Sequence, residues 1–164
     1  MRKKKIVGRL AFFRSLSLEE KRQVDVWDKT PEVSKYREIG GEGKRKLKSI
    51  NFGIYDKATS KLIGSIGVSS IDLENKHAEI GLAIGDKDYW GKGYGADATK
   101  VILKYCFDEL RLNKVYLDVW QKNKRAIRCY LKCGFKEDGV LRQHVRKDNK
   151  YYDKLIMSIL KMEW

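Results

Sequence analysis

The apolar positions of this chain change their period several times, and each change marks an element. Leu10 to Arg14 is a short apolar run that predicts a first strand. Ser17-Leu18-Glu19-Glu20 has the spacing of a capping box, so a helix should start there and run to about Trp27. Thr30-Pro31 predicts a second, short helix, with Thr30 as cap and Pro31 in the first helical position, ending at the flexible Gly40-Gly41-Glu42-Gly43. Three strands follow in quick succession: Ser49 to Asp56, Leu62 to Asp72 and His77 to Ile84. Their short polar turns imply an antiparallel meander. A helical pattern sets in at Ala96, with Ala98, Val101, Ile102, Tyr105, Cys106 and Leu110 on one face. Lys114 to Trp120 alternates with Val115, Leu117 and Val119 inward, a fifth strand. Asn123 caps a helix carrying Ala126, Ile127, Tyr130 and Leu131, and Gly134 ends it. Gly139 to Arg146 and Tyr151 to Leu160 form a last hairpin around Asp148-Asn149. The order βααβββαβαββ predicts one α+β domain over residues 1–164, with a mixed, mostly antiparallel sheet of about seven strands flanked by about four helices.

Composition narrows the class. With 42% hydrophobic residues and a single Pro in 164 residues, a folded domain with a real core is expected. No apolar run approaches a membrane span. The basic start MRKKKIVGRL lacks a cleavage-like site and does not read as a signal peptide, so a cytoplasmic location is expected. Lys and Arg number 36 against 22 Asp and Glu, a formal charge of +14 that favours anionic partners: a phosphate-bearing cofactor, nucleic acid or an acidic macromolecule. The densest basic runs, Arg2–Lys5 and Lys44–Lys48, read first as solvated surface. Cys106, Cys129 and Cys133 are odd in number and lack CxxC spacing, which argues against a disulfide framework or a zinc site; buried thiols and no metal are expected.

Chemistry concentrates between Glu79 and Gly95. An apolar strand, Ile80 to Ile84, is broken by Gly85-Asp86-Lys87-Asp88. Trp90-Gly91-Lys92-Gly93-Tyr94-Gly95 then opens directly into a helix. Strand, Gly-rich turn and helix N-terminus in that order make an anion cradle, for which pyrophosphate is the natural guest. The alternative is a plain tight turn. The spacing is neither that of a P-loop nor that of a dinucleotide fingerprint.

Four features together resemble the GNAT superfamily of N-acetyltransferases, which use acetyl-CoA. They are the Trp90–Gly95 run opening the central helix; Asn123-Lys124-Arg125-Ala126-Ile127 followed by Tyr130-Leu131-Lys132-Cys133-Gly134-Phe135; Glu79-Ile80-Gly81; and the tail Gly139-Val140-Leu141-Arg142 with Tyr152-Asp153 and Met157 through Trp164. The tail and the Trp90 start look most like the branch with ribosomal-protein N-terminal acetyltransferases and spermidine acetyltransferases. Trp90 stands where the broader family has Gln or Arg, which removes one side chain that could help the phosphates.

The resemblance implies a splay between the fourth and fifth strands that holds the donor's pantetheine arm, with backbone groups of Leu82 and Ile84 pairing to it. It assigns Leu82, Ala83, Ile84, Trp90, Gly91, Lys92, Gly93, Tyr94, Gly95, Asn123, Arg125, Ala126 and Tyr130 to the donor. Tyr130 is the candidate acid for the departing thiolate, with a core tyrosine as the alternative. Glu79 is the candidate base, with a structural carboxylate as the alternative. Lys92 reaches either a phosphate or solvent, and Asn123 is a helix cap that also lies near the arm. His144 and the group Tyr151, Tyr152 and Asp153 are candidates for the acceptor side; His77 is the other histidine.

The function this implies is acetyl transfer to a primary amine, with a protein N-terminus such as that of a ribosomal protein as the leading acceptor. Glu19, Glu20, Asp25, Asp28, Glu32 and Glu38 are mixed with Lys21, Arg22, Lys29 and Lys35, so no acidic funnel for a polyamine emerges. The short stretch between Trp27 and Ile50 implies an open groove. The alternatives are a polyamine, amino sugar or aminoglycoside acceptor. From other classes come a non-catalytic nucleic-acid-binding module and an acetyl-CoA sensor. Contact with RNA-rich assemblies, a homodimer and no membrane complete the expected partners.

Overall fold

Two-residue alternation builds the sheet and leaves one of its faces apolar. The computed structural model describes residues 5–34 and 49–164. Its strands are β1 (Ile6–Val7), β2 (Ala11–Arg14), β3 (Ile50–Asp56), β4 (Leu62–Asp72), β5 (His77–Ile84), β6 (Lys114–Trp120), β7 (Lys136–Lys147) and β8 (Lys150–Leu160). Its helices are α1 (Leu18–Lys29), α2 (Pro31–Ser34), α3 (Tyr94–Lys104) and α4 (Lys124–Lys132). The strands lie in the order β1-β2-β3-β4-β5-β6-β8-β7. Every neighbouring pair is antiparallel except β5 and β6. That exception follows from α3, which carries the chain back over the sheet between them.

The expected boundaries of β4, β5 and β6 hold to the residue. The sheet has eight strands rather than about seven, because β1 is a two-residue rung against β2 with too few positions to show a period. β7 begins at Lys136 rather than Gly139; its first residues are exposed and charged, and only the ladder to β8 makes them a strand. α3 begins at Tyr94 rather than Ala96, capped by Gly93. The Ser17–Glu20 capping box is present, with Ser17 Oγ accepting from Glu20 N at 3.2 Å. Thr30 does not cap α2: its hydroxyl donates to the carbonyl of Val26 at 3.0 Å and closes α1 instead. The Gly40–Gly43 break and the Lys44–Lys48 run lie outside the described residues.

The core lies between the sheet and α3. Ala78, Ile80, Val115, Leu117 and Val119 pack with Ala98, Ile102 and Leu103, all buried. Two contacts fix the flanking pieces. Trp27 of α1 lies so close over Gly85 that a Cβ there would sit 2.2 Å from the indole, which only glycine permits. The Asp97 carboxylate on α3 accepts from the backbone N–H groups of Arg9, Leu10 and Ala11 at 3.0, 2.8 and 3.1 Å, tying the amino-terminal strands to the helix.

Among the described residues no helix is long and apolar enough to cross a membrane. Asp97→Ala strands three backbone donors and should destabilise the fold by about 2–3 kcal/mol. Asp97→Asn, which keeps one carbonyl acceptor, should lose less. Chemical denaturation of the two variants beside wild type measures the difference.

Candidate active site

β5 and β6 pair at only three positions, His77 with Lys114, Ala78 with Val115 and Glu79 with Tyr116. Beyond them the strands part. β5 stays on β4 as far as Ile84, and β6 stays on β8 as far as Trp120. The gap is an open cleft of about 540 Å³. Leu82, Ala83 and Ile84 form one lip, Val119, Asn123 and α4 the other, and the Gly-rich turn closes one end.

That turn has the shape of an anion cradle. Gly91 and Gly93 have φ of 75° and 87°, a region that side chains resist, and nothing lies within 4 Å of where a Gly91 Cβ would be. Gly93 caps α3 without a side chain, so the N–H groups of the first turn are not covered by a capping oxygen. Tyr94, Gly95 and Ala96 of that turn line the cleft. The Tyr94 hydroxyl donates to Asp56 at 2.7 Å, and this bond pushes the phenol up to about 12. Buried Asp56 also accepts from the N–H and hydroxyl of Thr59, at 3.0 and 2.6 Å, which holds its carboxyl below the usual range.

Trp90 spans the mouth. Its indole N–H donates to the Ile84 carbonyl at 2.7 Å, and the Arg125 guanidinium lies over its ring at 3.8 Å from the centroid. The Ile84 carbonyl, on one of the two residues whose backbone the resemblance assigns to the donor's arm, thus already accepts one bond.

On the second lip Asn123 Oδ1 accepts from Ala126 N at 3.2 Å, the expected cap. Tyr130 is buried, lines the cleft and packs its ring on Phe135 at 5.6 Å. Cys129, one residue earlier, also lines the cleft. Its thiol is pushed up by a hydrogen bond with Cys133 and by burial. Glu79 accepts from Ser70 Oγ at 3.2 Å. The Glu79–Tyr116 register and strand alternation place Asp118 on the same face as Glu79. Asp118 in turn pairs at 3.0 Å with Lys154, whose side chain is 4% exposed.

The structure thus brings to one cleft every residue expected to hold the donor except Lys92, which is exposed and absent from the lining. Both catalytic candidates, Glu79 and Tyr130, are there as well. Sequence reasoning missed Asp118, Lys154, Arg128 and Cys129. Alternation from Glu79 and Tyr116 could have found Asp118, but Lys154 is revealed only by the Trp120–Lys154 register. His77 lies at the start of β5, outside the lining, 3.7 Å from Asp72, and His144 is exposed on β7. Tyr151, Tyr152 and Asp153 line a separate groove of about 160 Å³, where Tyr152 stacks on Trp120 at 5.2 Å.

Residues 12–136 match the family model of the acetyltransferase (GNAT) domain. The chain is 30% identical to p20 of Bacillus licheniformis, an uncharacterized N-acetyltransferase, over 92% of this chain and 93% of p20. It is 33% identical to Bacillus subtilis YdaF, which carries a provisional name as a ribosomal N-acetyltransferase, over 72% of this chain and 63% of YdaF. It is 31% identical to the spermidine N(1)-acetyltransferase of Vibrio cholerae over 68% of this chain and 64% of that enzyme. The fold matches the crystal structure of spermidine N-acetyltransferase from Vibrio cholerae in complex with CoA and spermine. The TM-score is 0.83 at 24% identity, covering 94% of this chain and 97% of that one.

Cys106 and Cys133 are buried whereas Cys129 is half-buried and lines the cleft, so access, and not acidity, should make Cys129 the first thiol a maleimide labels. Coenzyme A should slow that labelling, and Cys129→Ala should abolish it; mass spectrometry of the labelled protein reads both.

Proposed function

Because the chain belongs to the GNAT acetyltransferase family, we propose that it acetylates the α-amine of a peptide N-terminus, such as a ribosomal protein presents. Membership of the family makes it an N-acetyltransferase with acetyl-CoA as the donor.

The residues fit that donor. The uncapped first turn of α3, beyond two glycines of positive φ, suits a pyrophosphate, and the unpaired edge of β5 beyond Glu79 suits a pantetheine arm. Bound there, acetyl-CoA supplies an activated thioester carbonyl. Glu79 takes a proton from the acceptor ammonium, directly or through water, and so frees the nitrogen to form the new C–N bond. A backbone N–H on the Leu82–Ile84 edge stabilises the negative charge on the carbonyl oxygen. Tyr130 gives a proton to the sulfur as the C–S bond breaks, and the second proton that the nitrogen sheds on becoming an amide returns to the Tyr130 phenolate, directly or through solvent. A phenol suits that task, being acidic enough to meet a departing thiolate and protonated at neutral pH. Asn123, Arg125 and Ala126 hold the donor from the α4 side.

The observation that carries the peptide reading is the charge of the cleft. Its described lining has four cations, Arg125, Arg128, Lys132 and Lys154, against three carboxylates, Glu32, Glu79 and Asp118. Two of those carboxylates are already held by lysines, Glu32 by Lys87 at 2.7 Å and Asp118 by Lys154. A polyamine carries several positive charges and needs carboxylates to receive them; a peptide N-terminus brings a single ammonium. The likeness to a spermidine acetyltransferase keeps a polyamine as the second reading. A formal charge of +14, with Lys124, Arg128 and Lys132 exposed one turn apart along α4, supports contact with an RNA-rich assembly. A homodimer rests on the family likeness.

Thiol release from acetyl-CoA should be followed with peptides starting in Ala, Ser or Met, with spermidine, an aminoglycoside and an amino sugar. Release is expected with a peptide, and Tyr130→Phe should lower kcat by about 100-fold. Release with spermidine alone would replace the peptide reading by the polyamine one. No release and no binding of acetyl-CoA would overturn both.

A further inference from the structure

Arg125 presents an unusual arrangement for a surface cation. Its guanidinium carbon lies over the Trp90 ring, 3.8 Å from the centroid, while the indole beneath donates its own N–H to the Ile84 carbonyl at 2.7 Å. The backbone around Trp90 is pinned on both sides. Trp90 N donates to Lys87 O at 3.0 Å, and Tyr89 packs edge-on against Tyr94 at 5.1 Å. The first turn of α4 carries no acidic residue, and among the described residues no carboxylate pairs with Arg125. Stacking uses the flat face of a guanidinium and leaves its in-plane N–H donors available, which is the geometry that binds phosphate oxygens in pairs. Trp90, Arg125 and the cradle residues Gly91, Gly93 and Tyr94 all line the same cleft.

We propose that Trp90 is a positioning residue. Its ring holds Arg125 across the mouth of the cleft, so that the guanidinium edge meets the donor's pyrophosphate from the side opposite the α3 N–H groups. The cradle and the stacked arginine would then grip the anion from two elements, α3 and α4, whose relative placement is fixed through the indole–Ile84 bond. Trp90 itself makes no bond to phosphate: its face is occupied by Arg125 and its one donor by Ile84. The role rests on the reading of this cleft as the acetyl-CoA site.

The test is a double-mutant cycle read by calorimetric binding of coenzyme A and of S-acetylpantetheine, which has the thiol-bearing arm but no pyrophosphate. Trp90→Leu and Arg125→Ala are each expected to weaken coenzyme A about tenfold, and the double variant to be no weaker than either single one. Binding of S-acetylpantetheine should stay within about twofold of wild type in all three. Trp90→Phe, which keeps an aromatic face for Arg125 but loses the indole N–H, should fall between wild type and Trp90→Leu, at about a threefold loss. Should Trp90→Leu fail to fold, Trp90→Phe takes its place in the cycle, and adding it to Arg125→Ala should then cost nothing further. Losses that multiply to about a hundredfold in the double variant would mean independent roles and overturn the proposal. So would an equal loss for S-acetylpantetheine, which would make Trp90 a wall of the arm's channel. Wild-type protein that binds neither probe would strike the donor reading itself, a result distinct from either of these.

Discussion

Two parallel strands that pair for three residues and then part are the constraint on which this molecule turns. Separating strands exposes backbone donors and acceptors, and a buried edge without partners is costly. The sheet tolerates the gap because each lip is backed on its far side. β5 keeps its ladder to β4 from Glu79 to Ile84, and β6 keeps its ladder to β8 along its whole length. Neither lip can relax toward the other without breaking a ladder behind it. The opening is thus held from both sides, and its inner edge presents the backbone of β5 beyond Glu79. Trp90 stops that edge at its far end by taking the Ile84 carbonyl.

The same alternation that buries one face of these strands arms the other. Ala78, Ile80, Val115, Leu117 and Val119 go under α3 into the core, which puts Glu79, Tyr116 and Asp118 on the opposite face by the geometry of a pleat. A cleft between β5 and β6 therefore meets apolar packing on the α3 side and charged chemistry on the other without any special loop to supply it. Lys154 shows the cost of this arrangement. An ammonium that is 4% exposed needs an acid, and Asp118, which is 37% exposed, supplies it from the neighbouring strand.

How much of this could be read from the chain follows from the range of each interaction. β4, β5 and β6 alternate strongly and are bounded by polar turns, so local pattern sufficed for their ends. The Gly-rich turn and the Asn123 cap are local devices too, and both stand where their residues place them. What escaped depends on contacts distant in sequence. β1 is a strand only because Phe12 and Phe13 lie beside it. Thr30 could have capped either helix, and the carbonyl of Val26 won. Asp118 and Lys154 are thirty-six residues apart and meet only because β6 and β8 pair in one register. The stack of Arg125 on Trp90 requires the closure of the entire α3–β6–α4 crossover.

The two halves of the cleft also differ in what carries recognition. The β5 lip and the Gly-rich turn present mostly backbone: a strand edge unpaired with β6 beyond Glu79, positive-φ glycines and the first turn of a helix. Such groups are nearly independent of side-chain identity, so they persist as sequence drifts. The opposite face presents side chains instead, Glu79, Asp118 and Lys154. A fold of this construction can keep its backbone cradle while the side chains that face it change. That is the physical reason a chain 31 to 33% identical to relatives named for different acceptors can share their family.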